Sequence, residues 1–469
     1  MPNTCSAFGT VEEECAGRIE AVTEQARVLK AQWPVLLRQL RKISDPRKPK
    51  KIKHKLTVLT LYGTLVFVLH YSSRRQANSH ITHPMIEQNL RELFPELESM
   101  PHADTLFRLL QRIDVNDIEQ AQIELVRQLI RKKKFAPLRV NNAYPVAIDG
   151  TQKLVGSELW HEALLQRRTS SSDEEPVRYR YSVYVLEANL SFRNGMVIPL
   201  MTEFLDYREG DSEREKQDCE TRAFHRLAKR IKEAFPRLPI LLLLDGLYAQ
   251  GPVMARCSDY NWQLMIVLKD GSLPTVWAEY HSLCKLQTGQ EHQQNWGERH
   301  QHFRWVNHIC YEYGSNNSQH IDLHVVICEE QWQAVNEEGE IETMNHRHAW
   351  ISSRPLNAAN VHERCNLGAR YRWGIETNFL VEKHQGYSYE HCFAKDWNAL
   401  RGYHYLMRLA HLINTLARFS SALAPMFRRM GVRPFIEFMR TTLTGPWLDK
   451  FGLAEVEQLM LRPFQLRFV

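Results

Sequence analysis

PILLLLDG, residues 239–246, and VNNAYPVAIDG, residues 140–150, decide how this chain is read. Each is a short apolar run closed by an acid and a glycine, Asp245-Gly246 and Asp149-Gly150. Short apolar runs bounded by turn residues read as buried strands, so each strand is expected to finish at its aspartate. An ionised carboxylate next to a core is costly unless something neutralises it. In open α/β sheets ligands sit beyond the carboxyl ends of the strands. Two such acids on neighbouring strands could share Mg²⁺, which prefers carboxylate oxygen and water. Taken alone, either acid is better explained as a turn cap before its glycine.

Outward from these strands the pattern alternates. Tyr181–Phe192 and Met196–Phe204 read as two strands joined at Asn194-Gly195, a strong hairpin signal. SSSDEE, residues 170–175, reads as a polar loop, and residues 213–235 as a charged amphipathic helix. Residues 260–352 hold four further strand-like stretches dense in aromatics, and helices return from Asn357 to Ser420. Residues before 140 look helical. They include the basic run DPRKPKKIKHK (45–55), the apolar run 56–71, HADTLFRLLQRID (102–114) and a helix from Val115 to Lys134 that ends in RKKK. HADTLFRLLQR suits a DNA recognition helix and a packing helix equally. The expected organisation is a helical domain at 1–139, an α/β core at 140–255 and 353–420, a β-rich insertion at 256–352 and a helical tail at 421–469.

Composition sets the frame. The chain has 469 residues, 43% of them hydrophobic, 24% charged, with a net charge of +6. That suits a soluble protein of two or three domains; the charge is compatible with a nucleic-acid partner, a balance that many proteins with other roles share. The nine cysteines form no C-x-x-C pair and read as reduced thiols of a cytosol-like compartment. Leu56–Tyr71 is shorter than the ~20 residues needed to span a bilayer, so it reads as a buried helix and no membrane role is expected. No Walker loop, G-x-G-x-x-G, G-x-S-x-G or H-E-x-x-H is present. His346 and His348 share a strand face but bring no further ligands for zinc.

RWGIETNFLVEK, residues 372–383, adds the third element. Arg372, Glu376 and Lys383 stand four and seven residues apart, which on a helix puts all three on one face. An ordinary solvated helix with an Arg372–Glu376 pair would look the same. Taken together and in order, however, the three blocks resemble the DDE transposases of bacterial insertion sequences, in the group with a β-rich insertion before the last acid. AIDGTQ is similar to that family's first-aspartate strand, LLLLDGLYA to its second, and RWGIETNFLVEK to its R-x3-E-x6-K helix. DPRKPKKIKHKLTVLTLYGTLV and PHADTLFRLL resemble the helical segment often found ahead of the catalytic domain. One departure is clear: where the family usually has Tyr three residues before the Arg, this chain has Ala369, with Tyr371 directly beside Arg372.

The resemblance implies an RNase H-like catalytic core and metal-dependent DNA cleavage and strand transfer, cut-and-paste through hairpin ends. It implies that Asp149, Asp245 and Glu376 bind two Mg²⁺, with Mn²⁺ able to substitute, and that Arg372 and Lys383 grip phosphates. It also implies that Trp350, on a strand a little over twenty residues before Arg372, stacks on a flipped base. An ordinary half-buried strand tryptophan is the alternative at that position. In a DNA-handling protein the basic run makes Lys50, Lys51, Lys53 and Lys55 candidate phosphate contacts. The partners expected are double-stranded DNA, as element ends and target, and a second copy of the chain in the DNA synapse. The expected location is the cytoplasm, on the bacterial nucleoid. A nuclease that cuts without joining and a DNA-binding protein with a vestigial site are the competing readings.

Overall fold

The computed structural model describes residues 8–169, 178–206, 219–336, 339–448 and 450–469. The SSSDEE loop and the start of the helix expected at 213 lie outside the described residues.

The chain opens with α1 (Val11–Leu40), whose start is capped by Thr10 accepting from the Glu13 amide. The basic run then forms a single tight turn at Pro49–Lys51, opened by Pro49. Next come α2 (Leu56–Val68), α3 (Arg74–Ile81), α4 (Pro84–Leu93), α5 (Ala103–Leu110) and α6 (Asn116–Arg131). Almost every α2 residue is buried, as its unbroken apolar sequence requires. In α5, Leu106, Leu109 and Leu110 face inward.

The α/β region begins with β1 (Tyr144–Gly156), β2 (Leu165–Arg168), β3 (Tyr179–Ser191) and β4 (Val197–Leu205), followed by α7 (Glu220–Ala234), β5 (Ile240–Leu244), α8 (Gly251–Asp259), β6 (Gln263–Val267) and α9 (Pro274–Leu286). The β3–β4 hairpin turns at Asn194-Gly195, where Gly195 takes φ +81°, a left-handed conformation that glycine reaches without strain. Long antiparallel strands follow: β7 (Glu291–Trp296), β8 (Arg299–Tyr313), β9 (Gln319–Val335) and β10 (Ile341–Ser352). The chain closes with α10 (Gly374–His384), α11 (Trp397–Arg418), α12 (Ala424–Met430), α13 (Val432–Thr444) and α14 (Lys450–Leu461).

The strands form one mixed sheet in the order β2-β3-β1-β5-β6-β10-β9-β8-β7, with β4 also paired to β3. β1, β5 and β6 run parallel, and β10 joins β6 antiparallel. The later strands are therefore not a separate sheet: they extend the one that carries the two aspartates. α11 is buried along nearly its whole length and packs on α2, α5 and α6, so the N-terminal helices and the C-terminal helix share one core. The protein is thus a mixed α/β fold with an N-terminal helical region and a large mixed sheet.

Candidate active site

Parallel pairing sets the strands that lead to the two aspartates side by side. Tyr144 lies opposite Ile240 and Ala147 opposite Leu243. The pairing ends at Ala147 and Leu243, so Asp245, the first residue past β5, follows the strand beside the one that carries Asp149. The two acids reach this point differently. β5 stops at Leu244, and Asp245 caps the next turn by accepting the Leu247 amide at 2.9 Å. β1 does not finish at Asp149, contrary to the sequence reading. It runs on to Gly156 because β3 gives it an antiparallel partner, with Asp149 opposite Glu187. Asp149 is therefore a mid-strand residue, and its Oδ1 accepts the Gly150 amide at 2.9 Å.

The third acid arrives on α10. Sequence spacing predicts a single helix from Arg372 to Lys383, but the α-helix begins at Gly374. Arg372 lies in a tight 3₁₀ turn, Ala369–Trp373, after a wider π-type turn, Glu363–Gly368. Close packing accounts for the break. A Cβ on Gly374 would collide with Ser191 Oγ, and that hydroxyl donates to the Tyr371 carbonyl at 2.5 Å. The chain is pressed onto β3 there.

Arg372 ties the acids together. Its Nη2 donates to Glu376 Oε1 at 2.8 Å, and its Nη1 lies 3.6 Å from Asp149 Oδ2. The second distance is too long for a hydrogen bond. Across the cleft, Lys269 Nζ is 3.7 Å from Asp245 Oδ2. Burial pushes the Asp149 carboxyl up to about 6, with Glu376 and Asp245 adding to the shift and the Gly150 amide and Arg372 opposing it.

The donor set suits a hard divalent cation: three carboxylates near enough to influence one another, Asp149 being disfavoured as an anion by burial and by the other two. Among the described residues no three His, Cys, Asp or Glu side chains are gathered tightly enough to hold a metal as they stand.

A pH dependence follows for the metal-free chain. Asp149 is raised above the ordinary carboxylate value near 4. Its contribution to stability is therefore fully present below about pH 4 and is lost as pH rises through about 6. Denaturant titrations from pH 4 to 7 with chelator present are expected to show this decline in the wild type and to lack it in Asp149→Asn. An identical pH profile for the variant would contradict the assignment.

The cleft has a volume of about 1030 Å³, and its walls include Asp245, Lys269, Arg372, Glu376, Trp350 and Trp373. Trp350 of β10 is 3% exposed, parallel to His348 at 5.3 Å, with the Arg370 guanidinium 5.8 Å from its ring. Its indole is packed, yet it borders the cleft of Asp245 and Glu376. Trp373 is 60% exposed beside Arg372. The sequence does not single it out, because inside an expected helix it looks like any partly buried aromatic. Nor does the sequence point to Lys269, since its link to the site is spatial: β6 pairs with β5.

The remaining candidates lie elsewhere. Lys383 borders a second cavity of about 330 Å³ with Arg433 and Arg440, and its Nζ is 3.0 Å from Glu390. Lys50, Lys51, Lys53 and Lys55 are exposed in the stretch before α2, with Lys55 paired to Glu98 at 2.6 Å.

Residues 37–126, from the end of α1 into α6, match the family model described as DDE_Tnp_1-associated. The match associates this helical segment with DDE-type transposases, and all three candidate acids lie beyond it. No curated protein matches the chain. Among the described residues no helix is long and apolar enough to cross a membrane.

Proposed function

We propose that this chain is a DDE-type transposase that cuts and rejoins double-stranded DNA on an RNase H-like core. The observation that carries the reading is one aspartate on β1 and one just past the end of the parallel neighbour β5, with the first joined through Arg372 to a helical glutamate. The family match ahead of the core supports it.

Asp149, Asp245 and Glu376 would hold the metal. Two bound Mg²⁺ would supply an activated water or 3′-hydroxyl and charge stabilisation at the leaving oxygen. The chain's own residues do the rest. Arg372, released from Asp149, presents its guanidinium fork to a phosphate, a geometry well matched to two oxygens. Lys269 leaves a positive charge at the cleft wall. Lys383, with Arg433 and Arg440, extends positive charge toward α13. Trp373 offers an exposed indole face for a base forced out of the stack when a hairpin end forms, and Trp350 lines the same cleft in a packed position. A dimer on DNA would hold the two ends together, at the bacterial nucleoid.

The test is strand transfer. Full-length chain, Mg²⁺, a DNA fragment carrying the sequences that flank the gene, and a plasmid target are incubated together. Covalently joined products are expected. Cut ends without joining would assign a nuclease. Binding without cutting would assign a DNA-binding protein with a vestigial site.

The basic run gives a separate prediction. Replacing Lys50, Lys51, Lys53 and Lys55 with Gln should flatten the log–log salt dependence of DNA affinity by about 0.9 for each phosphate that is no longer neutralised. A slope equal to wild type in fluorescence-anisotropy titrations would show that the run is only a solvated surface.

A further inference from the structure

β3, β4, α10 and α11 contribute side chains to a buried ion network. Its members Glu187, Glu382 and Arg408 are each 0–1% exposed. Arg408 Nη2 is 2.9 Å from Glu187 Oε2, and its Nη1 is 2.7 Å from Glu382 Oε1. Nη2 also donates to Asn189 Oδ1. His404 Nε2 lies 3.2 Å from Glu187 Oε1, His411 Nδ1 lies 2.5 Å from Glu382 Oε1, and the Thr202 hydroxyl donates to Glu187 Oε2 at 2.8 Å.

The two glutamates occupy particular places. Glu187 is the direct cross-strand partner of Asp149. Glu382 is on the same helix as Glu376, six residues further on. Arg408 therefore connects the strand beside one candidate acid to the helix that carries another.

Stability is a poor explanation for this arrangement. Buried ion pairs are often matched or exceeded by apolar packing of the same volume. This network also leaves polar atoms unsatisfied: Arg408 Nε, Glu382 Oε2, His404 Nδ1 and Asn189 Nδ2 have no hydrogen-bond partner among the described residues. A partly satisfied buried network costs more than an apolar core. What it does supply is direction, because a guanidinium fork fixes the angle and separation of the two carboxylates it holds. Burial alone would raise the Glu382 carboxyl, but Arg408 and His411 beside it reverse that and hold it well below the usual range, so the link is ionic.

We propose that Arg408 is a positioning residue: by holding Glu382 against Glu187, it sets where Glu376 stands relative to Asp149. This rests on the reading of those acids as metal ligands. Arg408 touches neither acid, so it acts on the metal site through helix and strand. Residues that orient metal ligands from behind typically change affinity by about 10–100-fold when removed.

The experiment compares wild type, Arg408→Met, Arg408→Lys, Glu382→Gln and Asp149→Ala as full-length chains. Folding is checked by circular dichroism, and Mn²⁺ affinity is measured by calorimetry without DNA. Arg408→Met and Glu382→Gln, where folded, are expected to bind Mn²⁺ at least about tenfold more weakly, with Arg408→Lys recovering part of the affinity. Wild-type Mn²⁺ affinity in a folded Arg408→Met or Glu382→Gln, while Asp149→Ala loses binding, would overturn the proposal and leave the metal site standing. Unchanged affinity in Asp149→Ala would remove the metal-site reading and the proposal with it. Loss of the fold in Arg408→Met, Arg408→Lys and Glu382→Gln alike would assign the network to stability and overturn the proposal.

Discussion

Asp245→Asn is expected to slow DNA-strand cleavage by at least about a thousandfold, which corresponds to about 4 kcal/mol of transition-state stabilisation. DNA affinity should stay within about a factor of two. The fold should be kept, because an Asn oxygen can still accept the Leu247 amide that Asp245 caps. What Asn removes is the negative charge. Asp149→Asn and Glu376→Gln should behave alike, and pairs of these changes should cost little more than one, since residues acting as a unit are not additive. Cleavage, affinity and melting temperature measured on one set of preparations check this. Normal cleavage by Asp245→Asn would refute the assignment.

The parts of the site legible in the sequence are those written in local pattern. Ile240–Leu244 is an unbroken apolar run before an acid, and the structure makes it a fully buried strand with Asp245 at its end. YPVAI before Asp149 carries the same signal. The sequel to Asp149 is harder to read. GTQKLVG is too polar to announce a strand, and it is one only because β3, some thirty residues further on, pairs with it. In the same way, the segment after Asp259 reads as β-rich from its aromatics. Nothing local says that Gln263–Val267 lies parallel to β5 and brings Lys269 to Asp245.

The R-x3-E spacing predicts an Arg372–Glu376 contact, and the contact forms, although Arg372 precedes the α-helix. A four-residue separation brings these long side chains together across the junction as well. The buried network leaves one faint signal, an acid inside the apolar run YVLEANL. Its partners on α10 and α11 are far off in sequence, and only the folded chain joins them.

Trp350→Ala is the second large effect. If Trp350 holds a flipped base, nicking stays nearly intact and hairpin formation slows by roughly ten- to a hundredfold, the rate equivalent of ~1–3 kcal/mol of stacking. The packing of the indole adds a second expectation: truncating a buried tryptophan lowers stability by about 3–5 kcal/mol. Trp373→Ala separates the two, because it removes an exposed indole from the same cleft with little effect on packing. Gel assays that resolve nicked from hairpin products give the readout. Equal loss of both steps in Trp350→Ala, with a hairpin-selective loss in Trp373→Ala, would move the stacking role to Trp373.

The metal site is tested most directly by anomalous diffraction from crystals of the full-length chain soaked in Mn²⁺. Anomalous peaks are expected in the cleft, with carboxylate oxygens of Asp149, Asp245 and Glu376 about 2.1 Å away and the Arg372 guanidinium moved off Asp149. An empty cleft with Arg372 still between Asp149 and Glu376, or ions bound there without these three carboxylates, would contradict the metal-site assignment.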